Sequence, residues 1–164
     1  MLEQMQIAAG FVPVNLATAA NNSHWVNLKL YGRLLIIFFK GAAASGTEDP
    51  TVTLLQATDV AGTGSKPLNI ARSWTKTNAD VTTIGQFTLG LPSTNTLTVA
   101  GSATQGAIWA LEVFASDLDK TNLFSCLQAN VAKTGVIAQL GCLLYVLGEA
   151  RQADTPVVNP SALV

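Results

Sequence analysis

Few side chains in this sequence have the chemistry to act on a substrate. The one histidine, His24, follows Asn21-Asn22-Ser23 in what reads as a turn before a strand. Nucleophilic catalysis needs a base beside the nucleophile and a third group that orients the base. No G-x-S-x-G motif accompanies His24. A zinc site needs closely spaced His and Cys ligands. His24, Cys126 and Cys142 could form one only if folding gathered all three. Gly62-Thr63-Gly64-Ser65-Lys66 has the composition of a phosphate loop but not its spacing. No helix follows it, because Pro67 and the alternating Leu68 and Ile70 come next, so the segment reads as a hairpin turn. Asp117 and Asp119 flank Leu118 beside Lys120, and Glu48-Asp49 closes a loop. Paired carboxylates do acid–base work only where a cleft separates their pKa values. Both pairs read as solvated turns. The expectation is therefore no catalytic residue, no metal site and no cofactor.

Composition points the same way. The chain has 164 residues, 49% hydrophobic and only 12% charged. That charged share is about half the usual one, so part of the surface is expected to face another protein. Nine Lys and Arg stand against ten Asp and Glu, for a formal charge of −1. The basic residues are dispersed, which argues against nucleic-acid binding and against a polybasic membrane surface. Two cysteines are too few for a disulfide framework; both lie in apolar segments and read as reduced packing residues. The first basic residue is Lys29, so no leader is expected. The apolar runs Leu34–Phe39 and Val136–Leu147 are too short to span a bilayer as helices.

The elements follow from periodicity. Val26, Leu28 and Leu30 alternate with Asn27, Lys29 and Tyr31, as in a half-buried strand. Leu34–Phe39 is apolar on both faces and fits a central strand. Thr51–Leu54, Leu68–Trp74, Phe87–Leu89, Leu97–Val99, Ile108–Ala115 and Phe124–Val131 continue the pattern. Gln139–Leu147 is apolar throughout and reads as buried on both faces. Ser116–Lys120 reads as a turn or one helical turn, with Ser116 as its cap. Arg72 and Glu112 each interrupt an apolar strand face. Either each faces solvent, or they meet across the sheet or across a subunit interface. Trp25, Trp74, Trp109, Tyr31 and Tyr145 either fill a core or line a sugar platform.

About eight short strands with Gly-, Asn- and Pro-rich turns predict an all-β protein, an antiparallel β-sandwich of jelly-roll type. An immunoglobulin-like sandwich is the alternative. The expected divisions are an N-terminal arm over 1–12, a sandwich over 13–152 and a C-terminal tail over 153–164. Residues 4–28 carry no charge, and Leu2, Met5, Ile7 and Phe11 follow no sustained period. They form either an arm lying on a partner or an edge strand of the chain's own sandwich.

The carrying segments are Phe11–Leu16, Trp25–Lys29 leading into Leu34–Lys40, Asp49–Asp59 and Ala138–Tyr145. Their layout resembles that of small virion structural proteins of tailed bacteriophages, the head decoration or cement proteins. The resemblance implies a capsid-associated β-sandwich that bridges major capsid protein subunits at the capsid surface, with no catalytic residues to carry over. The expected partners are the major capsid protein and further copies of the chain, with no nucleic acid and no membrane. Leu2, Met5, Ile7, Phe11, Val157, Val158 and Leu163 are the expected contact residues. A carbohydrate- or receptor-binding sandwich of the virion, or a head–tail or tail component, remains the alternative.

Overall fold

In chain order the strands are β1 (Met5–Asn15), β2 (Asn21–Asn22), β3 (Val26–Asn27), β4 (Tyr31–Lys40), β5 (Thr51–Ala57), β6 (Lys66–Pro67), β7 (Arg72–Thr77), β8 (Thr88–Gly90), β9 (Thr96–Thr98), β10 (Ala107–Phe114), β11 (Cys126–Val131) and β12 (Leu140–Ala150). The structure is a computed structural model, and it describes residues 5–151. Its helical pieces are one short turn of α-helix, Ala79–Thr82, and the 3-10 turns Ala115–Asp117 and Lys120–Asn122.

Two antiparallel sheets form a sandwich. The first has the order β1-β12-β4-β10-β7-β8. The second has the order β2-β11-β5-β6, with β3 also on β11 and β9 also on β5. The pairing is nested. The first strand lies on the last, β2 and β3 lie on β11, β4 lies on β10, and β5 lies on β6 and β9. That is the wrapping of a jelly roll. The β7–β8 pair lengthens the first sheet beyond β10. Twelve hydrogen-bonded strands are present among the described residues rather than eight. The strands beyond those read from periodicity are the 11-residue β1 and the two-residue β2 and β6.

The core lies between the sheets. Leu34, Ile36 and Phe38 of β4, Trp109 and Leu111 of β10, and Leu143, Tyr145 and Leu147 of β12 are fully buried. They meet Val52 and Leu54 of β5 and Leu127 and Ala129 of β11. Phe38 and Trp109 pack with ring centroids 5.2 Å apart, tilted by 55°, a favourable aromatic geometry.

Three local expectations change. The stretch from Trp25 to Tyr31 pairs only at Val26–Asn27. Asn27 Oδ1 accepts the Lys29 amide at 2.9 Å, and the Tyr31 amide bonds Leu28 O at 3.3 Å, so the chain turns there to cross between sheets. Residues 5–12 are not a free arm. They belong to β1, which pairs with β12 from Met5↔Gly148 to Asn15↔Leu140, so a break at residue 12 falls inside a strand. Ser116 caps nothing and sits inside a 3-10 turn. The cap of the next turn is Asp119, which accepts the Asn122 amide at 3.2 Å. Residues 153–164, the expected tail, lie outside the described residues.

Candidate docking face

The residues with catalytic potential are held apart or bound to backbone. His24 is exposed, and its carbonyl accepts Tyr145 Oη and Ser23 Oγ, each at 3.3 Å. Asp117 accepts the Phe114 amide at 2.8 Å, and Asp119 forms an ion pair with Lys66. That ion pair and the bond from Asn122 hold the Asp119 carboxyl down at about 2. The Asp59–Lys66 segment is a turn closed on Asp59, whose Oδ1 accepts the Ala61 and Thr63 amides at 2.9 and 3.1 Å. Asp49 takes the Gly101 and Ala103 amides at 2.9 and 2.7 Å. Cys126 is buried and Cys142 half-buried, and both are free thiols. Burial raises both thiol pKa values, which disfavours the reactive thiolate. Among the described residues no group of three or more His, Cys, Asp and Glu could hold a metal ion. No helix among them is long and apolar enough to cross a membrane. The aromatic residues do not form a platform. Trp109, Tyr31 and Tyr145 are wholly buried, while Trp25 packs over the Gly62 turn and Trp74 lies on the first sheet.

A cleft of about 400 Å³ is lined by Lys29, Thr58, Lys120, Leu123, Phe124 and Ser125. Burial and the nearby Arg151 charge lower the Lys120 pKa. An adjoining hollow shares Lys29 and Thr58 with it and is lined by Asp59.

The surface that stands out is the outer face of the first sheet. In a β-strand alternate side chains point to opposite faces, and here both sets are apolar. The inward set fills the core. The outward set forms rows across the strands. One row runs Ala9, Leu144, Ile37, Ala110, Trp74 and Leu89, one residue from each of the six strands in register. A second runs Ile7, Val146 and Leu35, and a third runs Cys142, Phe39 and Ile108. Among them Leu35, Ile37, Trp74, Ile108, Cys142 and Val146 are half-buried by their neighbours and Ala110 is buried. Ile7 is 54% exposed, and Leu89 and Leu144 are also exposed.

At one end of the face Pro13, Phe39, Gly41, Leu140, Gly141 and Cys142 line an apolar dimple of about 230 Å³. Phe39 and Leu140 stand at its side, 47% and 63% exposed. At the other end the charges are paired. Arg33 Nη1 lies 3.3 Å from Glu112 Oε1, Arg33 Nη2 lies 3.1 Å from Glu149 Oε1, and Arg72 Nη1 lies 3.9 Å from Glu112 Oε2. Arg72 and Glu112 thus meet across the sheet, in register. Lys76, beside Ile108, holds its ammonium 4.4 Å from the centre of the Phe87 ring.

No protein-family model matches the sequence. No curated protein matches it either. Among solved structures the chain is similar to the SPBc2 prophage-derived protein YomS, at 7% identity and a TM-score of 0.45, over 88% of this chain and 93% of that one. It is also similar to the disulfide-linked pili of Bacillus endospore appendages, at 10% identity and a TM-score of 0.39, over 90% and 89% of the two chains. A third similarity is to tobacco necrosis virus, at 10% identity and a TM-score of 0.22, over 92% and 98%.

The expected contact residues divide among several places. Ile7 lies on the outer face, in register with Val146. Phe11 is turned inward by the irregularity in β1 and packs, half-buried, against the core. Met5 is half-buried and pairs with Gly148. Leu2, Val157, Val158 and Leu163 lie outside the described residues. Sequence reasoning missed Leu35, Ile37, Phe39, Leu140 and Leu144. Their signal was present in the apolar runs Leu34–Phe39 and Gln139–Leu147, which read as strands covered on both sides. In the described fold the second side of these strands is only partly covered, with Phe39, Leu140 and Leu144 exposed.

Proposed function

We propose that this chain is a structural protein of a virus particle, which decorates and cements a phage capsid by bridging major capsid protein subunits, without catalysis. The observation that carries the reading is the partly uncovered apolar face of the six-stranded sheet. An apolar surface of this breadth on a small domain marks a site for protein contact. Buried apolar area contributes about 25 cal/mol per Å², and a shell repeats each such contact over its whole surface. Asp49, Asp59 and Asp117 accept backbone amides and so act as parts of the fold, in keeping with a chain whose work is contact. The resemblance of the Phe11–Leu16, Asp49–Asp59 and Ala138–Tyr145 segments to tailed-phage decoration proteins supports the same assignment.

The test is made on particles. Particles assembled with the chain should carry it in fixed stoichiometry and release their contents at a higher temperature than particles assembled without it. Substituting Ile37→Lys should remove it from the particle surface while the isolated protein keeps its circular dichroism spectrum. Absence of the chain from purified particles would refute the reading.

A further inference from the structure

We infer that the cleft between Lys29 and Lys120, at the end of the sandwich opposite the dimple, binds the phosphate group of a small phosphate monoester. The inference goes beyond the particle reading and does not depend on it.

The basic residues are dispersed along the sequence, but the fold gathers three of them. The turn after β3 brings Lys29, the loop between β10 and β11 brings Lys120, and the end of β12 brings Arg151. Lys29 and Lys120 line one cleft of about 400 Å³. Arg151 lies beside it. Its amide donates to Leu30 O at 2.9 Å, and Leu30 lines the adjoining hollow together with Lys29. None of the three forms an ion pair among the described residues, whereas Arg33, Arg72 and Lys66 all do. The one carboxylate lining the adjoining hollow, Asp59, has its Oδ1 taken by the Ala61 and Thr63 amides. Three positive charges thus stand against one negative charge, in a chain whose formal charge is −1. Burial and the Arg151 charge lower the Lys120 pKa, as they do for a cation held against repulsion. Like charges gathered in a cleft oppose folding and favour a ligand of the other sign.

The lining selects the class of ligand. Lysine ammoniums are compact point charges that suit phosphate oxygens. A phosphate monoester carries about −1.5 to −2 near neutral pH, which matches the surplus of positive charge better than a single carboxylate does. The Thr58 and Ser125 hydroxyls already donate to carbonyls, so the ammoniums supply the hydrogen bonds. The remaining wall is apolar, formed by Leu123 and Phe124. Leu123 is 78% exposed and has a φ of 63°, in the left-handed region that a leucine enters only at a cost. Beside two ammoniums, that side chain offers an apolar surface to the organic half of an ester. The cleft's volume is in the range of small-molecule sites.

The test is titration of the isotope-labelled full chain with phenyl phosphate, followed through its amide resonances. Phenyl sulfate has the same shape with less charge, and inorganic phosphate lacks the ring. Phenyl phosphate should bind with a dissociation constant of about 1 mM or below and shift the amides of Thr58, Leu123 and Ser125. The two comparison ligands should each bind at least about 5-fold more weakly. Lys29→Gln and Lys120→Gln should each raise the dissociation constant about 10-fold. Their melting temperatures should hold or rise, because each removes repulsion, so the loss is not one of folding. Leu123→Asn, which suits the left-handed backbone, should weaken phenyl phosphate and leave inorganic phosphate unchanged. Lys133→Gln is the control, an exposed lysine beyond the far end of β11, and it should bind as the wild type does. Absence of saturation up to about 10 mM phenyl phosphate, wild-type affinity in both lysine variants, or shifts confined to residues outside the cleft would each overturn the inference. Any of these leaves the particle test standing, since that test reads occupancy on particles.

Discussion

Two buried polar side chains fix how the chain closes. Lys40 ends β4 with its side chain fully buried. Its ammonium, with three N–H donors, lies within hydrogen-bond distance of the carbonyls of Gly41, Ser102, Ala103 and Gln105, at 3.1, 2.7, 3.2 and 2.6 Å. Burial pushes the amine pKa down, and the nearby Asp49 charge pulls it back. The lysine thus holds the loop before β10 against the end of the first sheet, close to the dimple, as a pin rather than a reactive amine. Tyr145 does the same across the sandwich. Its oxygen accepts the Ala129 amide at 2.9 Å and contacts Ser23 Oγ, joining β12 to β11. Burial raises its phenol to about 12. A raised folded pKa means that the unfolded chain loses the proton first, near 10. The stabilisation is therefore complete below pH 10 and is lost as pH rises toward about 12, by roughly 2–3 kcal/mol in all. Urea melts at successive alkaline pH values should show this fall. Tyr145→Phe should cost about 1 kcal/mol near pH 8 and flatten the alkaline decline. An equally steep decline in that variant would assign the loss to other groups.

At the scale of elements, β1 decides how the N-terminal segment is read. Its pairing with β12 skips between Ala9 and Phe11 and again between Phe11 and Val14. Each skip moves the following side chains to the other face, so Ile7 and Ala9 face outward while Phe11 faces the core, although the segment is one strand. At Gly10 an added Cβ would lie 2.4 Å from Leu143 Cδ2 and 3.2 Å from Tyr145 Cε2, so the glycine lets β1 lie close to β12 at the first skip. Gly10 is thus part of the fit of β1 against β12. By contrast β4, β5, β10 and β11 were legible, because their alternation is unbroken and one face meets the core. The covering of the other face was not legible in Leu34–Phe39, since a strand buried twice and a strand with an open apolar face have the same sequence. The Ala79–Thr82 turn and the two-residue strands were too short to carry a period. Deleting residues 1–12 should therefore cost the isolated protein more than about 3 kcal/mol, because it uncovers the β12 edge and removes Ala8 and Phe11 from the core margin. Thermal melts of the truncated chain check this. An unchanged melting temperature would return the segment to a free arm.

For the whole molecule, two sheets of similar width present unequal surfaces. The inner faces saturate each other, while the outer face of the first sheet leaves Ile7, Phe39, Leu89, Leu140 and Leu144 exposed. Association through that surface should have the thermal character of apolar burial. That association should weaken on cooling and strengthen in sulfate. Isothermal titration at several temperatures should give a large negative heat-capacity change on association. An association that dissolves in moderate salt and is indifferent to temperature would instead be held by ions.

The nested pairing also governs how the chain can be made. Met5 finds its partner at Gly148, and β4 finds one neighbour in β10 and the other in β12. A growing polypeptide emerges from its N-terminus, so β1 and β4 wait without their β12 neighbour until residues 140–150 have left the ribosome. Contacts of such long sequence separation slow folding to the millisecond-to-second range typical of β-sandwiches. During that interval Leu34–Phe39 has both of its apolar faces and a strand edge open to other nascent chains. Yield in the producing cell is thus set by the race between late closure and aggregation, and slowing translation after residue 40 lengthens the exposed phase.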